Sequence, residues 1–138
     1  MMTDHKSGVL GSVAAGFPSP AEQYSEPPLD LNDLLVKRPA ATFFLRVQGD
    51  SMIARGIFDG DLLVVDRSLT PKSGDVVVVA LDGEFTVKTL RIGICQTERG
   101  PRKKFTLEPA NDKYPSITIE PGHQLDLFGK VIAVIHYP

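Results

Sequence analysis

Asp75-Val76-Val77-Val78-Val79-Ala80-Leu81-Asp82-Gly83-Glu84-Phe85-Thr86-Val87-Lys88-Thr89-Leu90 decides the fold class. The four valines at 76–79 are apolar on both faces, which predicts a central strand. Asp82-Gly83 between two apolar runs is a two-residue hairpin signal. Residues 75–81 and 84–90 are therefore expected to pair. Alternate residues of a strand share a face, so Phe85, Val87 and Thr89 point one way. Glu84, Thr86, Lys88 and Leu90 point the other way, which sets a lysine between a threonine and a leucine in a strongly apolar hairpin.

Further strands are expected outward from this hairpin at 42–48, 62–66, 104–108, 116–119 and 124–136. Asp59-Gly60-Asp61 and Ser73-Gly74 separate two of them. The last run is interrupted at Gly129, which predicts a bulge or bend. With 12 Gly, 11 Pro and no Trp in 138 residues, the chain suits short strands and turns more than long helices. A mainly β fold of one compact domain follows. Residues 93–103 read as a long polar hairpin tip, with a small basic cluster of Arg99, Arg102, Lys103 and Lys104. Without nearby aromatics or a recognition helix, that cluster is a weak nucleic-acid signal.

Residues 1–28 form a flexible N-terminal arm and proline-rich linker, and 29–138 form the folded domain. Proline removes backbone donors and favours extended chain, and the arm has little with which to build a core. Asp30 can cap one short helix at 31–37, stopped by Pro39. Residues 9–15 are mildly apolar, but Asp4 and the interspersed glycine and serine do not suit a signal peptide. Nothing approaches the ~18 apolar residues of a membrane span. Cys95 is the only cysteine, so no intrachain disulfide forms, and a cytoplasmic location is expected. A net charge of -2 gives no general attraction to DNA or acidic membranes.

One serine stands in a suggestive place. Gly49-Asp50-Ser51-Met52 follows the apolar run Phe43-Phe44-Leu45. Ser51 can be a turn residue, a helix cap or a nucleophile. A nucleophile needs a base. His5 lies in the arm, His123 follows Pro121-Gly122 in a turn, and His136 is two residues from the end. None has a setting that suggests chemistry, and no Cys/His cluster has metal-ligand spacing, so no metal and no cofactor are expected. Lys88 is the other option. If its face of the hairpin is covered, desolvation lowers its pKa. A lysine brought from ~10.4 to ~7–8 is neutral enough to act as a base. A lone strand lysine is, however, most often a surface residue with its amine in water.

Six ordered motifs carry a resemblance. Gly49-Asp50-Ser51-Met52, Asp59-Gly60-Asp61, and Asp82-Gly83-Glu84-Phe85-Thr86-Val87-Lys88 resemble the self-cleaving LexA/UmuD proteins. Gly16-Phe17-Pro18-Ser19-Pro20-Ala21, Leu29-Asp30-Leu31-Asn32-Asp33-Leu34-Leu35, and Pro109-Ala110-Asn111 with Tyr114 resemble the UmuD branch. The likeness runs from Gly16 to the C-terminus. Lys88 follows Ser51 by 37 positions, which fits that family's dyad spacing.

The resemblance implies a LexA/signal-peptidase-like β-rich catalytic domain and a substrate that is the chain itself. The matching scissile bond is Ala15-Gly16. Val13-Ala14-Ala15-Gly16 is small near the bond and can lie extended in a narrow cleft. Ser51 lies 35 positions after Gly16, and at ~3.3 Å per residue an extended chain spans over ~100 Å, so reach is no obstacle. The implied catalytic pair is Ser51 and Lys88, with the backbone N–H groups of Asp50 and Ser51 holding the oxyanion. Met52 is expected to pack, and Asp50 to be a turn residue whose carboxylate faces away from Lys88.

The implied partners are a second copy of the chain, a RecA–single-stranded DNA filament that stimulates cleavage, a UmuC-type polymerase subunit and replicative polymerase components. The implied role is in SOS mutagenesis and translesion synthesis. Two features depart from the family pattern: the arm before the scissile bond is short, and the 93–103 tip is long. No helix-turn-helix pattern precedes the domain, which argues against sequence-specific DNA reading. The alternatives are a binding module with a vestigial dyad and a peptidase acting on other proteins.

Overall fold

A computed structural model describes residues 6–17, 26–120 and 124–138. His5, His123 and residues 18–25 of the proline-rich stretch lie outside the described residues. The chain divides into two compact units, 1–37 and 38–138, further along than the composition shift at Pro28.

In the first unit, β1 (Lys6–Val9) pairs antiparallel with β2 (Glu26–Asp30), in register Lys6 to Asp30 and Ser7 to Leu29. The arm thus carries a short ladder that its composition did not announce. Backbone bonding alone accounts for it, since none of its described side chains is buried. Helix α1 (Leu31–Leu35) follows, shorter than the expected 31–37. Asp30 caps it as expected: its Oδ1 accepts the Asn32 N–H at 3.0 Å.

The second unit is one antiparallel sheet of seven strands. They are β3 (Thr42–Arg46), β4 (Leu62–Asp66), β5 (Val76–Leu81), β6 (Glu84–Thr97), β7 (Gly100–Glu108), β8 (Ile117–Ile119) and β9 (Leu127–Ile135). The order across the sheet is β3-β4-β9-β5-β6-β7-β8. The valine run is central, with β9 on one side and β6 on the other. Its hairpin turns at Asp82 (φ 50°) and Gly83 (φ 81°), the two left-handed residues of a tight primed turn.

Alternation sorts the core onto two faces. Val78, Leu63, Val65, Met52 and Ile57 form one buried cluster. Val77, Val79, Leu90 and Leu107 form the other. Neighbouring valines therefore serve opposite faces, and β5 has no solvent face to spend on polar residues. Gly129 fits its expected role. The ladder shifts register beside it, and a Cβ there would sit 2.7 Å from Val65 Cγ1. Only glycine lets β9 lie this close to β4.

The expected long hairpin tip at 93–103 is corrected in its extent. β6 and β7 continue as a regular ladder, with Ile94 opposite Lys103, Cys95 opposite Arg102 and Thr97 opposite Gly100. The turn takes only Glu98 and Arg99. Both faces of this ribbon are largely exposed, so no apolar alternation marked it as strand, while its backbone bonds hold it. The basic cluster thus lies along a ribbon and at its turn, not in a loop.

Candidate active site

Ser51 sits in a turn between β3 and β4, just before a single 3-10 turn at Ile53–Arg55. Apolar and polar anchors fix this segment. Met52 is 1% exposed and packs in the first core cluster, which confirms its packing role. Gly49 (φ 93°) turns the chain, and its N–H donates to Asp59 Oδ1 at 2.7 Å. The Asp59-Gly60-Asp61 motif is therefore a brace for the serine turn: the Gly60 N–H also donates to the Val47 carbonyl at 2.9 Å.

The segment 109–114 is the second brace. The Ala110 N–H donates to the Ser51 carbonyl at 2.6 Å, and the Ala54 N–H to the Ala110 carbonyl at 2.8 Å. Asn111 Nδ2 donates to the Asp50 carbonyl at 2.9 Å. The Tyr114 hydroxyl donates to Asp50 Oδ1 at 2.6 Å. Pro109-Ala110-Asn111 and Tyr114 thus clamp the turn from a loop about sixty positions away. Sequence reasoning did not find this role, because nothing local to either segment shows the pairing. Among the described residues, the backbone N–H groups of Asp50 and Ser51 meet no protein acceptor.

Lys88 lies on β6 opposite Val77 and is 7% exposed. Burial pushes its ammonium below the usual lysine range. Among the described residues no carboxylate pairs with it. Its Nζ stands 5.8 Å from the centre of the Tyr114 ring. A cation over an aromatic face gains about 0.5–1 kcal/mol at exposed sites and about 2 kcal/mol when desolvated, but 5.8 Å is near the limit of that attraction. Desolvation therefore decides the direction.

Ser51 is half-buried and lines a cleft of about 310 Å³ together with Leu45, Val47, Thr86 and Val87. Thr86 and Val87 are the residues immediately before Lys88 on β6. The fold thus sets the serine turn against the strand that bears the lysine, with Tyr114 bonded to Asp50 and its ring facing Lys88. Asp50 behaves as expected: its carboxylate is taken up by Tyr114 and not by Lys88. That same bond raises the Tyr114 phenol above its ordinary value, with the Asp50 charge and burial adding to it.

Ala15 and Gly16 lie in a bend of the other compact unit. Both are exposed, as are Val13 and Phe17. His136 belongs elsewhere. Its Nδ1 hydrogen-bonds buried Asp61, its ring rests 5.1 Å from that of Phe58, and it lines a different, smaller cleft from Ser51. Burial pushes the Asp61 carboxyl up, but the Phe58 N–H and His136 outweigh it and hold it below the ordinary range. Sequence reasoning missed this pair as well. A second and larger cleft, about 880 Å³, is lined by Ile53, Phe58, Pro109 and Tyr114. Among the described residues no helix is long and apolar enough to cross a membrane.

Several known proteins resemble this chain over most of its length. The SamA protein of Salmonella typhimurium is 47% identical over 122 residues, 88% of this chain and 79% of its own length. The ImpA protein of Escherichia coli is 48% identical over 122 residues, 88% of this chain and 77% of its own. The MucA protein of Escherichia coli is 41% identical over 131 residues, 94% of this chain and 84% of its own. The pattern of the Peptidase S24-like family matches residues 8–132, nearly the whole chain. The chain belongs to the Peptidase S24-like family, in keeping with its likeness to the LexA/UmuD proteins.

Proposed function

We propose that this protein is a self-cleaving serine peptidase in which Ser51 is the nucleophile and Lys88 its base. One observation supports this most: a buried lysine, with no carboxylate partner among the described residues, follows directly on Thr86 and Val87, which line the cleft with Ser51. Membership of a peptidase family supports the hydrolytic class.

Neutral Lys88 Nζ takes the proton of Ser51 Oγ as the oxygen attacks the Ala15 carbonyl carbon. The N–H groups of Asp50 and Ser51 hold the oxyanion. The Ala15–Gly16 bond breaks, and Lys88 passes the proton to the leaving Gly16 nitrogen. Water, deprotonated by Lys88, then frees the ester at Ala15. Residues 1–15 are released and 16–138 remain.

Cleavage is held back by an arm that occupies the cleft only part of the time, and a RecA–single-stranded DNA filament favours the docked arm. The trimmed chain pairs with a second copy in the cytoplasm and serves a UmuC-type polymerase in synthesis across lesions. The family resemblance motivates these partners.

Intact mass of the purified protein tests the chemistry. It is measured before and after incubation at about pH 10, where even an ordinary lysine is substantially neutral. Ser51→Ala and Lys88→Ala run alongside. Loss of residues 1–15 in the wild type alone is the expected result. A wild type uncut there, and uncut with RecA filament and nucleotide, overturns the peptidase reading and leaves a binding module.

A further inference from the structure

Asp50 presents a problem for a lysine base. It precedes Ser51 directly, and a carboxylate against Lys88 would hold the lysine charged. The structure gives that carboxylate another partner. Tyr114 donates its hydroxyl to Asp50 Oδ1 at 2.6 Å, while its ring lies 5.8 Å from Lys88 Nζ. Tyr114 thus reaches both groups.

We propose that Tyr114 is a positioning residue that engages the Asp50 carboxylate through its hydroxyl and interposes its ring, so that Lys88 faces an aromatic surface instead of a negative charge. The proposal rests on Lys88 being the base. The other charged groups around Lys88 are occupied or displaced. Lys130, on β9 beyond Val77 in the same row, pairs with Asp75 at 3.1 Å. Glu108 at the end of β7 is held by Arg91 at 3.0 Å. Glu84, on the same strand as Lys88, is exposed beside the hairpin turn. Asp112 and Lys113, in the loop that carries Tyr114, have no ion pair among the described residues, and Asp112 is exposed. Asp50 is thus the carboxylate whose release would change the environment of Lys88. Among the described residues its side chain has no partner besides Tyr114.

The test titrates Lys88 directly by NMR of its side-chain ε carbon, in a Ser51→Ala background that cannot cut itself. Tyr114→Phe keeps the ring and removes the hydroxyl. It should raise the Lys88 midpoint by about one unit or more, as an opposite charge at close range does. Adding Asp50→Asn should return the midpoint to that of the parent. A purely structural tyrosine would show no such rescue. Tyr114 is 43% exposed, so the phenylalanine variant is expected to fold. Tyr114→Leu is a second variant and should shift the midpoint in the same direction. An unchanged midpoint in the Tyr114 variants overturns the proposal. So does a rise that Asp50→Asn fails to reverse. Because the background is inactive, the result stands whether or not the wild type cleaves. A wild type that never cleaves removes the peptidase reading and not this titration.

Discussion

Ser51 and Lys88 are held by opposite kinds of force. The serine turn has few apolar anchors beyond Met52, and directional bonds fix it: Ala110, Asn111 and Tyr114 from one side and Asp59 from the other. The lysine is placed by a strand in a sheet, with Val77 across from it and Leu90 two positions along the same face. Hydrogen bonds can aim an oxygen and leave nearby N–H groups open. Apolar burial can strip water from an amine and depress its pKa. Each half of the site uses the force suited to its task.

That contrast can be broken most sharply at Lys88. Lys88→Met keeps the length of the side chain and its burial but cannot take a proton. Cleavage should fall by at least about 10³-fold, the scale on which a catalytic pair fails when one member is lost. Thermal stability should hold or rise, since a buried charge is gone. Intact mass and a melting curve decide between this and a structural role, in which both would fall together.

Leu107→Ala sharpens the apolar half. Leu107 is fully buried opposite Leu90, and its truncation should cost about 2–5 kcal/mol in denaturant unfolding. Water admitted there should also bring Lys88 back toward its ordinary value. The serine half has its own probe in Asn111→Ala. Losing the bond to the Asp50 carbonyl should cost only about 1 kcal/mol, yet slow cleavage by loosening the turn. The Lys88 titration should not move. If Asn111→Ala shifts that titration, the two halves are not independent.

The smallest effect concerns acid. Three buried or half-buried carboxyls have folded-state pKa values below 3.8. In Asp66 the Ser68 hydroxyl outweighs burial, with the Ser68 N–H and Arg38 adding to it. In Asp75 the Lys72 N–H leads, with Lys130. In Asp61 burial opposes and is overcome. The stability they contribute is fully present above about pH 3.8 and is lost as pH falls through the lowered values. Lys88 shifts stability in the same direction, at higher pH. Its folded pKa lies below 10.5, so its burial costs stability at neutral pH and that cost fades as pH rises from the folded value toward 10.5. Denaturant unfolding at pH 3, 7 and 9.5 checks that stability rises with pH in both windows.

Legibility in the sequence follows the same division. The Leu62–Asp66 strand and the hairpin around Asp82-Gly83 were readable, because alternation and turn chemistry are local. The burial of Lys88 was readable only as a condition, because a lone strand lysine most often keeps its amine in water. The ribbon beyond Gly93 was not, because neither of its faces is packed and a strand without a core side leaves no periodic mark. The clamp on the serine turn was not readable either. Tyr114 and Asp50 stand 64 positions apart, and His136 and Asp61 stand 75 apart. Such pairs arise from topology. The motif at 109–114 was visible as a likeness, but its physical duty appeared only once β7 brought it beside the serine.

The most direct measurement is the pH dependence of the wild-type cleavage rate, followed by intact mass from pH 6 to 11. A base on a buried lysine predicts a rate that rises with pH along a single ionisation, then levels off with a midpoint clearly below 10.5. A rate that keeps climbing past 10.5, or one that does not depend on pH, contradicts a lysine made reactive by burial.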